Sequence, residues 1–100
     1  MREYIAALET HIDLMLKKWK KESKIENGRV VQFEWQFEQS HIILDLFWHD
    51  GEEHIDIICH NPHHRLRTGT WLLSDPHIEK GIMDKIGNFA QIVQSELRHE

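Results

Sequence analysis

One hundred residues, 40% of them hydrophobic, suit a single domain spanning 1–100 with one modest core. A formal charge of −5 argues against broad nonspecific DNA binding, which rests on many cationic phosphate contacts. No apolar run approaches the ~18 residues of a membrane span, and the opening Met-Arg-Glu-Tyr lacks the apolar centre of a signal peptide, so a cytoplasmic location and no membrane partner are expected.

From Arg2 to Lys24 the spacing of Ile5, Leu8, Ile12, Met15 and Trp19 alternates between three and four, which predicts a helix with one apolar face. Lys17, Lys18, Lys20, Lys21 and Lys24 crowd its end, where cations complement the helix dipole. Asn27-Gly28 then reads as a stop and turn.

The next stretch alternates with the period of half-buried strands. Val31, Phe33, Trp35 and Phe37 are interleaved with Gln32, Glu34, Gln36 and Glu38; Ile42, Leu44, Leu46 and Trp48 follow, and then His54 to Cys59. Asp50-Gly51 supplies the left-handed residues of a tight hairpin and sets Leu46 opposite Ile55, Leu44 opposite Ile57 and Ile42 opposite Cys59. A two-residue loop at Gln39-Ser40 pairs Phe37 with Ile42, Trp35 with Leu44 and Phe33 with Leu46. Both hairpins then keep a single apolar face, which a slip of one residue would destroy. Cys59, the one cysteine, falls on that inner face, where a small core residue is a better reading than a nucleophile.

Beyond Cys59 the pattern breaks at His60-Asn61-Pro62-His63-His64, a loop made locally basic by Arg65 and Arg67. Thr70 to Leu73 fits a short fourth strand. Ser74-Asp75-Pro76 reads as a helix start, with Asp75 as cap and Pro76 at the first position. Ile78, Ile82, Ile86, Phe89, Val93 and Leu97 form the stripe of a final helix, in which Gly81 and Gly87 predict fraying, a kink or a close approach to the sheet. The expected fold is α+β, a two-layer sandwich: an antiparallel meander of three to four strands with an N-terminal and a C-terminal helix on one face.

That arrangement leaves the other face of the sheet for function. The hairpin registers place Glu34, Asp45 and Asp56 in one acidic row, with Ile43, Phe47, His54 and Ile58 beside it, which resembles an apolar contact patch with a charged rim. A basic protein, or a second copy of the chain as a homodimer, is the occupant such a face suits. Glu38, His41 and His60 align two rows away as a candidate zinc set. A histidine pair such as His60 with His63 or His64 also has the chemistry of a general base and acid on the RNA 2′-hydroxyl, with Arg65 or Arg67 neutralising phosphate.

The run Phe47-Trp48-His49-Asp50-Gly51, the strand through Ile58, and Asn61-Pro62-His63-His64 resemble the hairpin and proline-histidine-histidine loop of TumE-like toxins of bacterial toxin-antitoxin pairs. In that family a further proline-histidine element follows closely; here Pro76-His77 lies farther downstream. Size, acidic balance and helix-sheet-helix order are also similar to bacterial immunity proteins that neutralise nuclease toxins. The two likenesses imply opposite roles, a histidine-dependent ribonuclease-type toxin and an immunity or antitoxin-type inhibitor; the acidic row favours the inhibitor.

Overall fold

A computed structural model of the chain describes residues 2–63, 65–67, 71–72 and 77–98, without the side chains of 2–4, 49, 65–67, 71–72 and 96–98. The elements in order are α1 (Arg2–Met15), β1 (Lys20–Glu26), β2 (Arg29–Phe37), β3 (Ser40–His49), β4 (Glu52–His60), β5 (Arg65–Arg67), β6 (Trp71–Leu72) and α2 (Ile78–Arg98). The strands form one antiparallel sheet in the order β1-β2-β3-β4-β5, with β6 also paired to β4. The α+β two-layer expectation therefore holds, and no helix among the described residues is long and apolar enough to cross a membrane.

The core is the inner face of the sheet closed by both helices. Leu8, Ile12 and Leu16 from the α1 segment, Ile78, Ile82, Ile86, Phe89 and Val93 from α2, and Trp35, Ile42, Leu44, Ile55, Ile57 and Cys59 from the strands are all buried. At the end of α1 the stripe passes to Leu16, just beyond the helix and 2% exposed, while Met15 is 41% exposed instead of buried. Trp48 continues the inner-face alternation of β3 yet is 56% exposed. The helix α2 runs unbroken through Gly81 and Gly87. At Gly87 the missing side chain lies against Met15, whose Cε and Sδ would stand 3.9 Å from an added Cβ.

The first helix ends nine residues earlier than its pattern suggests, at Met15 rather than Lys24. After Trp19 the next five residues, Lys20 to Lys24, offer no apolar side chain to bury, so continuing the helix would gain propensity and little packing. A turn closed by the Trp19 amide donating to the Leu16 carbonyl (3.0 Å) redirects the chain into β1, and Trp19 packs on Phe37 with ring centroids 5.7 Å apart. Asn27 and Gly28, at φ 52° and 75°, are then the turn of a β1–β2 hairpin and not a helix stop.

Strand alternation sorts the lysine cluster. Lys20 and Lys24 face outward beside Glu22 and Glu26, at 3.5 and 3.4 Å. Lys21 points inward, donating to Glu9 and, at 2.9 Å, to Asp13, with its ammonium 5.3 Å from the Phe33 ring centroid and 5.9 Å from that of Trp35. Asp13 also accepts the Trp35 indole N–H at 2.9 Å. Burial pulls the Lys21 ammonium down, but Glu9 and Asp13 outweigh it and hold its pKa above the ordinary lysine value.

Two registers matter for the outer face. The β3–β4 hairpin turns at Asp50-Gly51 (φ 53° and 76°) and pairs Leu46 with Ile55, Leu44 with Ile57 and Ile42 with Cys59, as its turn chemistry predicts. The β2–β3 hairpin turns at Glu38-Gln39 instead of Gln39-Ser40, with Glu38 at φ 54° and Ser40 buried in the ladder opposite Phe37. Trp35 therefore meets Ile42, and Phe33 meets Leu44. This is a shift of two in partner, so every residue keeps its face while every row changes. A bulge against Lys24 and Ile25 further turns Val30, not Val31, onto the core.

Residues 65–67, read as loop, pair with β4 at Ile58 to His60, and Trp71–Leu72 pairs with His54 and Ile55. Two short pieces thus cover one long edge. Thr70, Leu73 and the Ser74-Asp75-Pro76 cap lie outside the described residues.

Candidate functional site

The outer face is built from alternate residues of β1 to β4, because the inner set is committed to the core. Directly paired residues of an antiparallel sheet share a face with Cβ atoms ~5 Å apart, so the registers define rows. One row runs Lys24, Gln32, Asp45, Asp56; the next runs Glu22, Glu34, Ile43, Ile58; a third runs Lys20, Gln36, His41, His60. Phe47 and His54 pair at the other end of the hairpin, their rings stacked with centroids 5.5 Å apart and planes at 14°.

The acidic row expected from sequence is thereby corrected. Asp45 and Asp56 do stand opposite each other, but the third member of their row is Gln32, whose Nε2 donates to Asp45 Oδ1 at 2.6 Å. Glu34 sits in the Ile43–Ile58 row and reaches diagonally to His41, with Oε2 2.7 Å from Nδ1. Asp56 is only 7% exposed, less open than an outer-face carboxylate was expected to be. Ile43, Ile58 and His54 are half-buried, and Phe47 is exposed.

The zinc set is corrected for the same reason. His41 and His60 are paired and stacked, with centroids 4.7 Å apart and planes at 13°, but Glu38 is an exposed turn residue whose carbonyl accepts from the Gln36 side chain. The carboxylate at His41 is Glu34. Among the described residues no three His, Cys, Asp or Glu side chains converge as a metal site requires.

In the loop after β4, the His63 amide donates to Asn61 Oδ1 at 2.9 Å, an Asx turn that fixes the bend at Pro62. His63 itself is exposed. His64 lies outside the described residues, as do the side chains of Arg65 and Arg67, whose backbones are in register with His60 and Ile58. Cys59 is 1% exposed, and burial pushes its thiol up to about 12, with Lys85 acting weakly the other way. A thiol so placed is a packing group.

No family model matches the chain, and no curated protein or solved structure is significantly similar to it. Function has to be read from the geometry.

A separate cleft opens on the helical side, about 460 Å³, between Leu14, Met15, Trp19, Phe37 and Val93, with Lys17 and Lys18 of the α1–β1 turn at its wall. The outer face is the richer site: it places an aromatic stack, two half-buried isoleucines and three carboxylates on contiguous strands. Sequence reasoning places Gln32 on this face but missed the Gln32–Asp45 and Glu34–His41 links, because both depend on which two residues make the β2–β3 turn.

Proposed function

We propose that this chain is a small cytoplasmic binding protein whose outer sheet face engages a basic protein, in the manner of an immunity or antitoxin-type inhibitor. One observation carries the reading: Ile43, Ile58 and the Phe47–His54 stack lie beside Asp45, Asp56 and Glu34 on the sheet face opposite the helices. Apolar centres with charged neighbours are how protein interfaces combine contact area with steering, and carboxylates select a cationic partner. A nuclease, whose own surface must attract phosphate, is a basic partner of that kind.

The test is protection. The chain is co-expressed in a bacterial host with a panel of basic nuclease toxins, alone and as Asp45→Lys and Ile43→Asp. Relief of growth arrest by the parent, lost in both variants while their thermal stability stays near that of the parent, supports the inhibitor. No protection across the panel, or protection untouched by both substitutions, refutes this use of the face.

A second reading has its own observation. His41 is oriented by Glu34 and stacked on His60, so a base and an acid for attack by an RNA 2′-hydroxyl would be His41 and His60 rather than His60 and His63. In that case expression of the chain alone arrests growth, and His41→Gln relieves the arrest.

A further inference from the structure

The strand β1 is the terminal member of the sheet, and among the described residues no strand pairs with its outer edge. Seven residues, Lys20–Glu26, run there without interruption, since the irregularity at the β1–β2 pairing adds its extra residue to β2. All but Lys21 are exposed, including Ile25 at 62%. An edge of this length carries backbone donors and acceptors suited to one more antiparallel strand.

We propose that a second copy of this chain supplies that strand, β1 against β1, about a two-fold axis at Ser23. The charge order selects both the partner and the register. On the outer side the strand reads Lys20, Glu22, Lys24, Glu26. Antiparallel pairing centred on Ser23 sets Lys20 opposite Glu26 and Glu22 opposite Lys24, and symmetry repeats both contacts, so every facing pair is of opposite sign. Centring on Glu22 would put Glu22 on itself and Lys20 on Lys24. Centring on Lys24 would put Lys24 on itself and Glu22 on Glu26. Like charges directly opposite are unfavourable in a ladder, so each neighbouring register that preserves the faces is penalised.

The inner side agrees. There Ser23 meets Ser23, two small residues at the axis, and Ile25 falls opposite Lys21, whose ammonium is already turned to Glu9 and Asp13, leaving its methylene stem beside the incoming isoleucine. An isologous contact of this kind closes on itself, because each copy uses its one free β1 edge. The proposal concerns the strand edge and is independent of what binds the outer face.

The experiment is a charge swap read by sedimentation velocity over a concentration series at low salt. The parent should show a monomer–dimer equilibrium that shifts toward monomer as salt rises. Glu22→Lys places lysine opposite Lys24, and Lys24→Glu places glutamate opposite Glu22. Each turns two attractions into repulsions and should raise the dissociation constant about tenfold or more. Mixing the two variants restores complementarity at all four contacts, so a heterodimer should form from two proteins that do not self-associate, and the double variant should dimerise again. Far-UV circular dichroism on each sample separates loss of pairing from loss of fold. A parent that remains monomeric at every concentration overturns the proposal, as does a mixture of the two folded variants no more associated than either alone.

Discussion

Lys21 and Lys20 are adjacent lysines on one strand, and the structure assigns them opposite fates, so replacing each with methionine is a stringent test of the β1 register. Methionine preserves the stem over Phe33 and Trp35 and removes only the charge. At Lys21 this deletes hydrogen bonds to Glu9 and Asp13 and the cation above two rings, and leaves both carboxylates without their shared counter-ion. Half-exposed ion pairs contribute up to ~1 kcal/mol each and such ring contacts ~0.5–1 kcal/mol; discounted for solvent and overlap, Lys21→Met should cost about 1–2 kcal/mol. In a domain of this size that lowers Tm by roughly 5–15 °C. Lys20 has one exposed partner, Glu22 at 3.5 Å, so Lys20→Met should stay within about 0.5 kcal/mol of the parent. Urea unfolding followed by tryptophan fluorescence measures both. The raised pKa of Lys21 adds a pH signature: its folded value exceeds its unfolded one, so its contribution is complete below the ordinary lysine value of 10.5 and is lost as pH climbs through the folded value. The gap between parent and Lys21→Met should therefore persist at neutral pH and narrow only in strong alkali. Equal effects of the two substitutions, or a gap that closes near neutrality, would refute the inward placement of Lys21.

Gly87→Ala should stabilise the protein by about 0.5–1 kcal/mol, because the added methyl meets Met15 at an ordinary contact distance of 3.9 Å inside a helix; a fall in Tm would show that the two helices lie closer than this. Cys59 should resist a thiol reagent in the native state and react at the unfolded rate in urea, since burial holds its thiol near 12; rapid native labelling would contradict the packing of β4 under the helices.

The fold was legible in the sequence wherever burial and turn chemistry agreed. Asp50-Gly51 and the alternation around it specify the β3–β4 ladder residue by residue, and the Ile78 to Val93 stripe specifies α2. Two of the places that were not legible show why. Trp19 continues the three-four spacing of α1, and the polar run Lys20 to Lys24 that follows it alternates as readily on a strand as on a helix, so the spacing alone does not mark where the helix ends. The turn between β2 and β3 contains neither glycine nor asparagine, so Glu38-Gln39 and Gln39-Ser40 satisfy the hydrophobic pattern equally, and the choice falls to which residues pair best across the ladder. That ambiguity left the core untouched, since parity was preserved. It changed the candidate site, because Glu34 was assigned to Asp45 when it belongs to His41.

The order of elements also bears on how the molecule is made. Strands β1 to β4 are joined only by two-residue turns, so the meander closes neighbour by neighbour through local contacts, a topology that assembles quickly. α2 is different: it follows every strand in the chain, yet it brings Ile78, Ile82, Ile86, Phe89 and Val93 to the core. During synthesis the sheet can be complete while that part of its inner face is still bare, and unpaired apolar surface on a nascent sheet is what chaperones bind and what aggregates. Substitutions in α2 should therefore reduce the yield of folded protein in cells by more than their effect on equilibrium stability alone would suggest, because they lengthen the interval in which the inner face of β4, with Ile55, Ile57 and Cys59, waits for its cover.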